Sequence, residues 1–168
     1  MKGLPRSLRN NQKNVLQNRT VRLNNLAIAI ADGAPGFGTA VIGGLPEGNI
    51  LYMAAVGYLQ FTSSSSALTA TFDGDFSVGT VPTTDNSLGD ANEADILPST
   101  AMGAATAKVS PVIRSVSTDA LGGLIIDNTA GSLELNLNVL IDDAAISGAV
   151  ALKATGYIDL VYIVMGDD

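Results

Sequence analysis

The sequence predicts an all-β fold: a jelly roll or β-sandwich of about eight antiparallel strands with an extended N-terminal arm. Three observations lead there. First, Leu133, Leu135, Leu137, Val139 and Ile141 occupy every second position, with Glu134, Asn136 and Asn138 between them. That is the period of a strand with one apolar and one wet face. Second, the final run places Gly156, Ile158, Leu160, Tyr162 and Val164 on one parity. Tyr157, Asp159, Val161, Ile163 and Met165 fall on the other. The end of this run is apolar on both sides, which predicts a central strand covered from both faces. Third, 18 glycines divide short runs rich in Thr, Ser, Val and Ala, the spacing of strands and tight turns.

The earlier elements follow in order. Val21 and Leu23, then Leu26, Ile28 and Ile30, make a first strand interrupted at Asn24-Asn25. Asp32-Gly-Ala-Pro-Gly36 is a turn. Phe37 to Ile42 is a short second strand, and Gly43 to Gly48 turns the chain again. Asn49 to Thr62 alternates apolar residues on both parities. Ser63 to Ser66 is a loop. Leu68 to Thr80 reads as a strand with Leu68, Ala70, Phe72, Gly74, Phe76 and Val78 inside. Pro82 to Asp95 is an acidic loop. Ile96 to Ala107 fits one helical turn or an irregular crossing. Val109 to Val116 is a strand broken at Pro111, at an edge or bulge. Leu124 to Ile126 is a short apolar run after Gly122-Gly123.

At 168 residues the chain predicts one domain that buries roughly 70% of its unfolded surface. Hydrophobic residues make up 46% and charged ones only 15%, which excludes a disordered chain. Cys and His are absent. Thiolate nucleophiles, Cys/His zinc sites, disulfides and the usual proton shuttle are removed together. No apolar run approaches the roughly 20 residues of a membrane-spanning helix. The basic N-terminus lacks an apolar h-region, so no secretory signal, membrane segment or lipid anchor is expected.

Charge divides the chain. Lys2, Arg6, Arg9, Lys13, Arg19 and Arg22 precede the first acid, Asp32; from Asp32 to the end come three basic and 16 acidic residues. The expected boundary therefore separates a basic arm, 1–24, from a β domain, 25–168. Two readings fit the arm: a solvated tail, or a segment that docks on an acidic partner or a neighbouring copy. The docking reading rests on Arg6, Arg9, Lys13, Arg19 and Arg22. Nucleic acid is a poor partner, because the acidic body repels phosphate and the arm has no aromatic for base stacking.

No constellation reads as catalytic, and no cofactor is implied. Asp142-Asp143, Asp167-Asp168 and Asp73-x-Asp75 place carboxylates close together, but without the ligand density of a calcium loop. Paired acids of the glycosidase type arise by chance among 16 acids. Gly33-Ala-Pro-Gly-Phe-Gly38 lacks the Lys/Ser phosphate clamp. Ser63 to Ser66 has no histidine to activate it. Asn18-Arg-Thr20 matches a glycosylation acceptor without a secretory context. The profile is that of a structural or interaction protein rather than an enzyme.

Four stretches carry a resemblance. They are Ile30-Ala-Asp-Gly-Ala-Pro-Gly-Phe-Gly-Thr-Ala40, Leu45-Pro-Glu-Gly-Asn-Ile50, Asp127-Asn-Thr-Ala-Gly-Ser-Leu133 through Leu140-Ile-Asp-Asp143, and Tyr162-Ile-Val-Met-Gly-Asp-Asp168. In these turns and strands, over residues 26 to 168, the chain resembles the jelly-roll cement (decoration) proteins on the heads of tailed bacteriophages. The resemblance implies a homotrimer on the outside of the virion that clamps neighbouring copies of the major capsid protein. It would be made in the host bacterial cytoplasm, without nucleic acid, membrane or enzymatic residues. The alternative is a phage tail or fibre module that binds a receptor or glycan.

Overall fold

A computed structural model of the chain describes residues 15–33, 35–90, 92–117 and 123–166. These hold nine strands and one 3-10 turn. The strands are β1 (Leu16–Ile30), β2 (Gly36–Gly44), β3 (Gly48–Thr62), β4 (Gly74–Gly79), β5 (Leu97–Ala101), β6 (Ile113–Val116), β7 (Leu124–Asn128), β8 (Glu134–Ile141) and β9 (Val150–Gly166). One sheet runs β1-β9-β3, and the far edge of β3 pairs with both β6 and β7; the other runs β2-β8-β4-β5. All the pairings between strands are antiparallel. The chain crosses repeatedly between the sheets, so neighbours in sequence rarely pair. This is the expected jelly-roll sandwich.

Alternation builds the core. Ile28, Ile30, Leu59, Phe61, Leu152, Ile158 and Leu160 point inward from the five-stranded sheet. Phe76, Val78, Leu97, Leu135, Leu137, Val139 and Ile141 face them from the four-stranded one. Phe61 and Phe76 meet across the sandwich with ring centroids 5.3 Å apart at 48°, a tilted geometry favoured by the ring quadrupoles. The Tyr52 hydroxyl donates to the Ile96 carbonyl at 2.7 Å and ties the layers together at one end.

The edge of β3 is completed in pieces. Between β7 and β6, the Ala55 amide donates to Ser117 Oγ at 2.9 Å and the Ser117 amide returns to the Ala55 carbonyl at 3.0 Å. Beyond β6, the Phe61 amide donates to Ser110 Oγ at 2.9 Å. Buried serines thus satisfy backbone groups that the short strands leave over.

Several expectations need correction. Residues 68–80 are not one strand: only Gly74–Gly79 is, and Leu68 makes an isolated bridge to Ile146. Ala70 is exposed although Leu68, Phe72, Phe76 and Val78 are buried. The segment 63–73 carries the chain from one sheet to the other, so it cannot keep one sheet's ladder. The unassigned stretch from Ile96 contains β5, an edge strand without a long apolar signature. The wet face expected on β8 survives only at Glu134: Asn136 and Asn138 are buried, and the loop that holds Thr83 and Glu93 is hydrogen-bonded to Asn138. β9 is central in its sheet, yet the outer side of its C-terminal half is open: Met165 is exposed, and Val161 and Ile163 are half-buried.

The boundary expected at 24/25 falls inside β1, at the bulge between Leu23 and Leu26 where Asn25 takes a φ of 52°. Residues 16–23 pair with β9 down to Leu16↔Ile163. Leu16 to Leu23 are therefore sheet, and the charge boundary is not the structural one.

Candidate functional site

The outer face of the five-stranded sheet has no second layer over it among the described residues, and its register sorts it into bands. Near the start of β1, Leu16 pairs with Ile163, Ile163 with Leu51, and Leu51 with Ile125. All four lie on outward parities, giving an apolar row four strands wide. At strand spacings of about 4.8 Å it is roughly 14 Å across. Leu16 is 58% and Ile125 62% exposed. Met53, on the bulge between Tyr52 and Ala54, and Met165 extend the exposed apolar surface. A contiguous apolar surface of this kind marks an interaction site more often than isolated exposed residues do.

After a short row of Asn18, Val161 and Ala54 comes a mixed row, Thr20, Asp159, Val56 and Val116. The Thr20 hydroxyl donates to the Asp159 carboxylate. Beyond it lies Arg22, Tyr157, Tyr58 and Arg114, again in register across four strands. The two tyrosine rings sit 5.4 Å apart at 33°. Their close approach depends on Gly156, whose φ is 143° and where a Cβ would lie 2.0 Å from the Tyr58 carbonyl oxygen. Only glycine fits there.

The predicted docking cations separate. Arg6, Arg9 and Lys13 lie outside the described residues. Arg19 is on the inward parity of β1, and its Nη1 donates to the Gly44 carbonyl at the end of β2. Its guanidinium also fills the space a side chain at Gly43 would need. Arg22 is exposed on the outer face and is the predicted cation that the fold places in a row with both tyrosines. Tyr58, Tyr157 and Arg114 were not singled out from the sequence. Parity placed Tyr58 and Tyr157 on strand faces, but register decides which residues align, and a single sequence does not print register.

Acids gather elsewhere. Asp73 and Asp75 flank the first residue of β4, and Asp142 follows the last residue of β8; Gly74 pairs with Ile141, which brings the three together. Burial first, then the charges of Asp73 and Asp75, push the Asp142 carboxyl above the ordinary carboxylate range. Among the described residues no group of three or more His, Cys, Asp or Glu is arranged to hold a metal ion. Asp95 sits at a shallow cleft between the 80–95 loop and β7, where it accepts the Thr80 amide at 2.9 Å and hydroxyl at 2.7 Å. Burial raises its carboxyl despite these bonds. Those contacts anchor the loop.

No protein-family model matches the chain, and no curated protein matches it. Among solved structures it is similar to the capsid of Ralstonia phage GP4, with 16% identity and a TM-score of 0.39, covering 97% of this chain and 90% of that one. It is also similar to infectious bursal disease virus, Gx strain, with 10% identity and a TM-score of 0.44 over 93% of this chain and 35% of that chain. The Gt strain gives 13% identity and a TM-score of 0.39 over 89% and 32%. The chain spans about a third of the bursal disease virus chains it matches.

Proposed function

We propose that this chain is a structural virion protein. It binds the outside of a tailed-phage head as a homotrimer and cements neighbouring copies of the major capsid protein. The observation that carries this reading is the apolar row Leu16, Ile163, Leu51 and Ile125, left open on a broad, rigid sheet. A row built from four strands is held flat by backbone hydrogen bonds, so burying it costs little side-chain or loop ordering. β1 starts at one corner of the row. The basic residues Arg6, Arg9 and Lys13 precede β1 in the sequence and, on this reading, supply charge for an acidic partner surface. Three copies acting together raise avidity without new contacts.

The test is co-sedimentation with expanded heads lacking this protein. The full chain, a version beginning at Val15 and Ile125→Asp are compared. The full chain is expected to bind saturably, with binding weakened at least about tenfold in each variant, the loss expected when a charge enters an apolar contact or a salt-dependent arm is removed. A folded full-length protein that ignores heads at all concentrations would sink the cement reading. The Tyr58–Tyr157 pair favours the second reading, a receptor- or glycan-binding module, because half-buried rings on an outer sheet face suit sugar faces. Binding to cells or glycans, abolished in Tyr58→Ala and without affinity for heads, would select it.

A further inference from the structure

We propose that the Arg22–Tyr157–Tyr58–Arg114 band is a self-recognition surface, and that its occupant is the acidic corner Asp73, Asp75 and Asp142 of a neighbouring copy. This rests on the trimeric reading above and specifies its subunit contact. Two sets of charges lack partners. Among the described residues, no hydrogen bond or ion pair reaches the side chains of Arg22, Arg114 or Lys153, and all three lie on the outer face of the larger sheet. The other described cations are engaged: Arg19 with the Gly44 carbonyl and Lys108 with the Ser65 carbonyl. Asp159, the carboxylate nearest the band, accepts from Thr20.

The acidic corner belongs to the opposite sheet, where no cation and no hydrogen-bond donor reaches the three carboxylates among the described residues. Within one chain the two sets cannot meet, because the sandwich lies between them. Between copies they can. The two surfaces differ, so the contact is head-to-tail, and a head-to-tail contact closes into a ring when its rotation allows.

The band is suited to carboxylates. Guanidinium is planar, pairs with carboxylate through two parallel N–H···O bonds, and stacks on aromatic rings. The two tyrosines between the arginines supply apolar walls that exclude water, where ion pairs count for more than on open surface. The mutual repulsion of Asp73, Asp75 and Asp142 is relieved when a neighbour's arginines approach.

The experiment measures mass by light scattering across protein concentration, at low and high salt. Four proteins are compared: the full chain, Arg22→Glu/Arg114→Glu, Asp75→Lys/Asp142→Lys, and all four substitutions in one chain. Circular dichroism and melting check that each is folded. The full chain is expected to be a trimer that weakens with salt. Each two-site variant is expected to need at least about tenfold more protein to assemble, as loss of complementary charge predicts. The four-site variant is expected to recover, because both faces are reversed together. Two-site variants that assemble like the full chain would overturn the proposal. So would a folded four-site variant that does not recover, or a full chain that stays monomeric. Head binding is scored on the same samples: trimers unmoved by charge reversal that still bind heads overturn this contact and leave cementing intact.

Discussion

Asn138 shows how much one side chain can organise. A carboxamide can accept two hydrogen bonds and donate two. Asn138 Oδ1 accepts the Thr39 hydroxyl at 2.8 Å and the Thr83 amide at 2.9 Å. Its Nδ2 donates to the carbonyls of Val81 at 3.0 Å and Glu93 at 2.9 Å. The 80–95 loop is thereby fixed onto the outside of β8, and the fully buried amide leaves no polar valence open. Asn138→Ala removes the fixing group and strands several buried partners, each costing roughly 1–3 kcal/mol. We expect a loss of about 3 kcal/mol in urea unfolding, with faster hydrogen exchange confined to residues 80–95. Asn136→Ala is the comparison. Asn136 Nδ2 makes one long bond, to the Glu134 carbonyl at 3.3 Å, so its replacement is expected to cost about 1 kcal/mol. Equal losses in the two variants would show that the loop is held by something other than Asn138.

Among the elements, β9 pairs with both β1 and β3, and at Gly156 it leaves no room for a side chain beside β3. Gly156→Ala puts a Cβ into the Tyr58 carbonyl at a φ of 143°. Strain of this kind costs about 1–3 kcal/mol, and the clash with backbone adds to it, so a lowered Tm and a disturbed Tyr58–Tyr157 ring contact are expected. Gly148→Ala would meet Ala67 Cβ at an ordinary 3.6 Å and is expected to stay within about 0.5 kcal/mol. A Gly156→Ala protein as stable as Gly148→Ala would mean that β3 yields freely there. The long strands were the legible elements: β3, β8 and β9 announce themselves by alternation over many residues. β5 and the start of β1 did not. β5 is five residues at an edge. The first four residues of β1 have their inward positions filled by Gln17 and Arg19, polar residues that an edge strand tolerates. The apolar row and the arginine–tyrosine band were invisible for one reason: each draws single residues from four strands, and the information that aligns them is pairing rather than sequence pattern.

For the whole molecule, uncompensated acids set the response to pH. Burial raises the carboxyls of Glu93, Asp95 and Asp142, with Asp73 and Asp75 adding to the last. A carboxyl that holds its proton more tightly when folded stabilises the fold fully below the ordinary carboxylate range. That contribution is lost as pH rises through the raised value. Asp127 acts the other way: the Thr129 amide and hydroxyl lower it, so its contribution is lost as pH falls through the lowered value. Three raised groups face one lowered group, and the Tm is expected to climb as pH drops from neutral towards the upper edge of the carboxylate range. Asp142→Asn should flatten part of that climb. A scanning-calorimetry series at fixed ionic strength checks both, and a Tm that falls across that window contradicts the assignment.

The pairing of β1 with β9 also imposes a timetable. Leu16 and Ile163 stand side by side in the sheet, yet all the strands between them must emerge from the ribosome before they can meet. Closing such distant pairs is slow compared with local contacts. The apolar row needs Leu16, Leu51, Ile125 and Ile163 together, so a growing chain displays fragments of it but never the finished surface. Formation of the apolar row is thereby made to wait for β9, and a product truncated before β9 cannot present it.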